Sequence, residues 1–465
     1  MSIFSVLEKL KATPPAATPL ADAAEVDHLY RYWRLRILYT SFLAYAVFYL
    51  CRVNISMALP AMEQSLGYSK TQLGLIVSLL QIAYGIGKFG NGILADRTNP
   101  RFFMAFGLLL SGLANICFSL QTSLMVLAGL WLFNGWFQSM GFPPGARLLS
   151  HWFSPSEHGR IFSIYGCSHQ VGAAIVLIAS GYIVQTNWPV GQRWQYVFLL
   201  PGIFAVFFSF FLFNRLRDIP ESMGLPPVEK YRRDVTEPKK LDAIERQSGV
   251  IQTLRGSVLN NRYVWFVAFG NCFLYIARYG ALTWAPTFIS EAKDVSIGKA
   301  GLITAFFEVM GILGMLSAGW ISDRIFRTRR GPIMAIYMLL LSGSLYAFWI
   351  APPGQALLYT VLLGISGFLV YGPLMLVSVA AINFAGKKAA ATASGFTGFW
   401  GYLGATASGV GVGWAAQNYG WPFGFSLIIG SGVLSAFCFA LTWNVLPRFL
   451  EDKPGSSSVG GNKGS

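Results

Sequence analysis

Charge is what this sequence has least of. Only 12% of its 465 residues are Asp, Glu, Lys or Arg, about half the share of an ordinary soluble protein, and the mean hydropathy is +0.51. That scarcity excludes a soluble globular chain. Acids are the rarer sign: 20 Asp and Glu against 35 Lys and Arg give a net charge of +15. On a soluble protein such an excess would point to nucleic acid. Here the basic residues gather in short loops between apolar runs, which is the mark of membrane orientation, so no nucleic-acid partner is expected. Cysteine is also scarce. Cys51, Cys117, Cys167, Cys272 and Cys438 all lie inside apolar runs, and none has a metal-ligand spacing. They read as small packing residues without a disulfide framework. No phosphate-cradling Gly-rich loop and no nucleophile constellation is found. Neither an enzyme nor a cofactor nor a metal is expected, and no secretory leader follows Met1.

What the chain has instead is long apolar runs. Six lie near residues 37–61, 71–95, 102–121, 123–149, 160–186 and 194–214. Six more lie near 263–290, 298–322, 332–351, 355–385, 389–416 and 421–446. Each is long enough to cross a bilayer as a helix, and the 50 glycines suit closely packed membrane helices. The fold class is therefore an all-α membrane protein of twelve transmembrane helices. Residues 1–35 form an N-terminal arm, 36–214 one six-helix half, 215–262 a basic linker, 263–446 the second half, and 447–465 a flexible Gly/Ser tail. Basic loops follow the even-numbered runs, among them Asp96-Arg97, Arg147 with Arg160, Asp323-Arg324 and Lys387-Lys388. The positive-inside rule then places both termini and the linker in the cytoplasm.

The two halves carry the same unusual feature. Arg52 is the only charge between Arg36 and Glu63, and Arg278 the only one between Arg262 and Glu291. A guanidinium at the centre of a spanning helix opposes insertion by roughly 2.5–3.5 kcal/mol, so it must face protein or water. Tyr45, Tyr49 and Arg52 are spaced i, i+4, i+7 and share a helix face. Asn271, Tyr275 and Arg278 repeat that spacing 226 residues later. The Gly92-Ile-Leu-Ala-Asp96-Arg97 loop is answered by Gly319-Trp-Ile-Ser-Asp323-Arg324, which reads as a structural clamp at a helix end.

Three more ionisable groups stand alone in their runs: Lys88, His169 and Glu308. Membrane-buried ionisable residues are functional candidates by default. Three fixed cations and a histidine against one carboxylate favour an anion in the central cavity, and two planar guanidinium forks suit phosphate oxygens. Arg52 and Arg278 are read as its ligands, with His169 beside them in a substrate or proton role. Lys88 either approaches the ligand or pairs with Glu308. Tyr84 shares the Lys88 face, and Tyr371 and Tyr402 are further cavity candidates.

Several stretches of this chain are closely matched in a known family: Tyr49-Leu-Cys-Arg52, Ala83-Tyr84-Gly-Ile-Gly-Lys88, Ser168-His169-Gln-Val-Gly, Gly224-Leu-Pro-Pro-Val-Glu-Lys-Tyr231, Leu274-Tyr-Ile-Ala-Arg278-Tyr-Gly and Tyr371-Gly-Pro. In these the sequence resembles the organophosphate:phosphate antiporters of the major facilitator superfamily, over essentially all of the chain from Tyr30 to Leu446. It is most similar to the branch acting on glycerol 3-phosphate. The resemblance implies two six-helix halves, alternating access, and exchange of an organic phosphate for inorganic phosphate by a monomer in the bacterial inner membrane. It also implies paired phosphate ligands at Arg52 and Arg278, a substrate-associated histidine at His169, and cavity tyrosines at Tyr45, Tyr49, Tyr84, Tyr275, Tyr371 and Tyr402. Two positions depart from the family pattern. Val53 stands where a Lys is usual and Thr283 where an Asp is usual, so an expected ion pair between the halves is missing as a pair. Glycerol 3-phosphate is the first substrate expectation, with hexose 6-phosphate and phosphoglycerate open. A membrane sensor of sugar phosphate would keep the same site. A proton-coupled transporter would need several membrane carboxylates, and Glu308 stands alone.

Overall fold

The computed structural model describes residues 22–154, 157–187, 193–232, 258–326, 329–385 and 390–445, together with Thr13, Ala16 and Leu20. Among these residues twelve helical rods cross the molecule. The first span is made of Ala23–Leu50 and Ile55–Leu66. The second is Lys70–Arg97 and the third Pro100–Ser119. The fourth is made of Leu124–Gln138 and Phe142–Trp152, the fifth is His158–Gln185 and the sixth Arg193–Arg215. The seventh to twelfth are Arg262–Ala292, Ile297–Arg324, Arg330–Ile350, Ala356–Ala385, Ala390–Tyr419 and Trp421–Ala440. Eight of the twelve are long and apolar enough to cross a membrane by length and composition alone. The second, fourth, seventh and eleventh are not among those eight. They carry Lys88, the break at Ser139-Met140-Gly141, Arg278 and a glycine-rich face, features that belong against protein rather than lipid.

Two rods depart from the continuous helices expected. The first span breaks over Cys51-Arg52-Val53-Asn54, so Arg52 does not sit on the helix face of Tyr45 and Tyr49 but in the turn below it. Side chains from neighbouring rods hold the break open by occupying backbone groups, a recognised origin of a kink. Asn115 Nδ2 donates to Cys51 O at 3.1 Å and Asn134 Nδ2 to the same oxygen at 2.9 Å. Gln138 Nε2 donates to Phe48 O at 2.8 Å, and Asn54 Nδ2 to Asn115 Oδ1 at 2.9 Å. The fourth span breaks ahead of Pro143-Pro144, which can begin a helix but not continue one. The seventh span runs unbroken through Arg278, so the two halves repeat in sequence without repeating in backbone.

We call the end bearing the N-terminal arm the base. There the arm is laid across the start of the linker. Ala16 N donates to Glu221 O, Leu20 N to Gly224 O, and Tyr231 OH to Asp27 Oδ1, while the rings of Tyr30 and Tyr231 stack at 4.0 Å. Glu157 receives both Arg34 and Arg232. Partial burial pushes its carboxyl up, but Arg34, the Ser154 amide and Arg232 more than reverse this and hold it below the ordinary carboxylate range. The expected clamp is present in the second half, where Asp323 pairs with Arg330 at 2.7 Å. The side chains of Asp96 and Arg97, and the Lys387-Lys388 loop, lie outside the described residues.

At the far end the two halves close on each other. Ser78 Oγ donates to Thr406 O at 2.6 Å and accepts from Val410 N at 2.9 Å. Lys70 bridges Glu63 of its own half and Glu291 of the other, at 2.8 and 3.1 Å. The second and eleventh spans touch backbone to backbone: a Cβ on Gly74 would lie 2.4 Å from Gly409 O, an approach open only to glycine.

Candidate anion site between the halves

Arg52 from the first span and Arg278 from the seventh meet at mid-height, each only 3% exposed. Tyr279 joins them. Its hydroxyl accepts from Arg52 Nη2 at 3.1 Å, and its ring centroid lies 5.9 Å from Arg52 Cζ and 4.6 Å from Arg278 Cζ. The two guanidinium carbons are therefore within about 10.5 Å of each other. Arg52 also stacks over Tyr84 at 4.1 Å and Tyr49 at 5.3 Å, and donates to Gln81 Oε1 at 2.9 Å. Cation–π contacts supply part of what water would otherwise provide.

Arg278 reaches its one carboxylate through a relay. Its Nη2 donates to Tyr371 OH at 2.8 Å, and Tyr371 OH donates to Glu308 Oε2 at 2.5 Å. Lys88 takes no part in this. It is exposed, lies 6.0 and 5.7 Å from the rings of Phe142 and Tyr402, and lines a cavity of about 700 Å³ with Phe142, Arg147 and His151, open toward the base. The pairing of Lys88 with Glu308 is thus corrected: Tyr371 holds Glu308, and Lys88 stands at the mouth of the basal cavity.

His169 sits between Tyr49 and Tyr371, with ring centroids at 5.3 and 5.8 Å. Its Nδ1 meets Gly166 O at 2.5 Å, the donor arrangement that leaves Nε2 for a ligand. Tyr45 contacts Tyr84 hydroxyl to hydroxyl at 3.3 Å. Tyr402 packs on Tyr84 at 4.9 Å and on Tyr275 at 5.5 Å, completing an aromatic wall shared by both halves. Asn271 is elsewhere: its Nδ2 donates to Thr397 O at 2.8 Å and ties the seventh span to the eleventh.

Buried polar atoms without a partner in the protein collect at this level. They include Arg52 Nε and Nη1, Arg278 Nε, Glu308 Oε1 and both carboxamide atoms of Gln170. Such atoms are rare, and a group of them calls for an explanation. Gln81, Gln170 and Tyr279 stand beside the candidate site residues, and the sequence reading missed them. A signal existed for two of them: Gln81 is i−3 from Tyr84 and i−7 from Lys88, and Tyr279 is i+4 from Tyr275. Val53 and Thr283 line one cavity of about 20 Å³ with Arg52, Gln81 and Tyr279, so the two departures border the same space beside Arg52. Among the described residues, no group of three or more His, Cys, Asp or Glu is placed to hold a metal ion.

Twelve rods in two halves around a buried polar centre are the architecture of a major facilitator. Residues 41–409 match the Major Facilitator Superfamily model. The chain is 40% identical over 435 residues to the glycerol-3-phosphate transporter of Bacillus subtilis, covering 92% of this chain and 96% of that one. It is 37% identical over 459 residues to a probable hexose phosphate transport protein of Chlamydia pneumoniae, covering 97% of this chain and 100% of the relative. Among solved structures, a bacterial homologue of the human lysosomal transporter Spinster superposes with a TM-score of 0.75 at 15% identity, over 90% of this chain and 98% of that one. The chain belongs to the major facilitator superfamily and, within it, to the organophosphate:phosphate antiporter family. It is a multi-pass membrane transport protein, not an enzyme.

Proposed function

We propose that this protein imports an organic phosphate, glycerol 3-phosphate in the first instance, in exchange for inorganic phosphate. The single observation carrying this reading is the pair of buried arginines, one from each half, flanking one tyrosine ring with unspent donors. A phosphate dianion held between them would receive charge-assisted, partly bidentate bonds and offset the repulsion of two cations in a low-dielectric site. His169 Nε2 would add a third contact, and the tyrosines would line the organic moiety. Lys88, Arg147 and His151 would draw the anion in from the base, which is read as the cytoplasmic face of a bacterial inner membrane with both termini inside. One chain completes the site, so a monomer suffices. Hexose 6-phosphate is the second reading, favoured by the Chlamydia pneumoniae relative that spans nearly the whole chain.

The test is exchange in proteoliposomes. Vesicles loaded with inorganic phosphate are offered labelled glycerol 3-phosphate, glucose 6-phosphate or phosphoglycerate. Uptake of glycerol 3-phosphate that requires internal phosphate is expected. Uptake of glucose 6-phosphate alone would move the substrate to the second reading. Uptake indifferent to internal phosphate would overturn exchange. Binding without uptake of any of the three would make the protein a sensor.

A further inference from the structure

Away from the central site, four arginines crowd the basal end of the sixth span. Arg36 donates through Nε to Arg215 O and through Nη2 to Asn214 O, both at 3.1 Å. Arg217 Nη1 donates to Asn214 O at 2.9 Å and Leu216 O at 2.8 Å, and Arg101 Nε donates to Phe213 O. Capping a helix C-terminus with cations is ordinary, but it explains only part of this cluster. Arg101 spends one donor of five and Arg217 one nitrogen of three. The Arg215 guanidinium makes no hydrogen bond among the described residues and lies 5.5 Å over the Phe211 ring. None of the four has an acidic partner there. The nearest acid in sequence, Asp218, is turned to Thr13 N and Arg147. Burial and the neighbouring Arg36 both lower the proton affinity of Arg217, as expected of like charges held close without a counter-ion.

The surroundings are those of a membrane surface. Arg36 and Arg217 flank the Trp33 indole at 4.5 and 5.2 Å, and Arg101 stacks on Phe213 at 4.6 Å. Aromatic rings of this kind mark the bilayer interface. Directly along the sixth span from the arginines, Phe207 and Phe210 are 70% and 64% exposed, an apolar face open to lipid. A cationic cluster with free planar forks, set above an exposed apolar strip, matches a ligand with an anionic head and hydrocarbon tails.

We propose that the basal ends of the first, third and sixth spans form a binding site for an anionic phospholipid, its phosphodiester on Arg101 and Arg217 and its acyl chains along Phe207 and Phe210. The end-on Nη pair of Arg101 suits two phosphate oxygens. A free phosphate would share the headgroup chemistry but gain nothing from the phenylalanine strip. The proposal is independent of the substrate reading.

The test is lipid retention by native mass spectrometry on the full-length protein in mild detergent, with phosphatidylglycerol, phosphatidylcholine or inorganic phosphate added. Wild type should hold phosphatidylglycerol in preference to phosphatidylcholine, and inorganic phosphate should not displace it. Each basic residue at an anionic surface is worth about 1 kcal/mol, so the Arg101→Gln/Arg217→Gln variant should bind phosphatidylglycerol about thirtyfold more weakly. Should that variant not fold, Arg215→Gln, whose guanidinium makes no hydrogen bond, should weaken it about fivefold. Equal retention by these variants, equal retention of phosphatidylcholine, or displacement by inorganic phosphate would each overturn the proposal.

Discussion

Arg52 and Arg278 are surrounded by aromatic faces and hydroxyls, and the only carboxylate within the relay, Glu308, is reached through Tyr371. In the proposed site their charges would be met by a ligand. Arg52→Lys and Arg278→Lys keep the charge and lose the planar fork. Each is expected to lower phosphate exchange at least about tenfold, the loss of one to two charge-assisted bonds of roughly 1.5–3 kcal/mol each. Near-normal exchange by either protein, at matched amounts in proteoliposomes, would remove that arginine from the site. The neighbouring cavity gives a second prediction. Val53 and Thr283 line it together with Arg52, so Val53→Lys alone adds an unpaired cation beside a buried guanidinium and should impair turnover. Val53→Lys with Thr283→Asp should recover exchange beyond the product of the single effects, because each charge then has a partner. Coupling below about 0.5 kcal/mol in this double-mutant cycle would mean that the two side chains do not meet.

At the scale of single spans, the broken first helix is the element that aims Arg52. The lone arginines were legible because charge is so costly in an apolar run. The tyrosines were legible because helical spacing carries through to Tyr49. The break was not, because Cys51-Arg52-Val53-Asn54 contains neither Gly nor Pro, and its cause lies in Asn115, Asn134 and Gln138 on other rods. In sequence, those amides look like any polar residue in a membrane helix. The relay from Arg278 through Tyr371 to Glu308 was hidden for the same reason: it joins the seventh, eighth and tenth spans, and no local spacing encodes it. The break can be tested at Gln138, whose Nε2 holds Phe48 O. Gln138→Leu removes that bond and leaves Phe48 O only the Cys51 N–H, at a cost of about 0.5–1.5 kcal/mol. The expected result is a lower thermal midpoint in detergent and a weaker phosphate affinity, since the turn bearing Arg52 loosens. An unchanged midpoint and affinity would show that the break is intrinsic to the first span.

For the whole molecule, the arrangement is closed at the far end and open at the base. The far closure rests on small residues and a few polar ties, the 2.4 Å approach at Gly74 and the Ser78 and Lys70 links chief among them. A transporter needs this closure to be reversible, and close glycine contacts with a few polar ties suit that need. A single methyl should therefore shift the balance between the two states. Gly74→Ala places a Cβ against the Gly409 carbonyl, whereas the same methyl has room when the halves part. The overlap penalises only the closed form, and steric overpacking typically costs about 1–3 kcal/mol, enough to change the closed-to-open ratio roughly five- to a hundredfold. The readout is a cysteine at Ser56, which lines the small cavity beyond Arg52, in a background without the five native cysteines. Labelling by a membrane-impermeant thiol reagent added at the far face should accelerate at least fivefold with Gly74→Ala. Exchange should slow because return to the base-open form is hindered. If labelling is unchanged while exchange is normal, the second and eleventh spans separate by a route that never brings Gly74 and Gly409 into contact, and the far closure must be carried by the fifth and eighth spans instead.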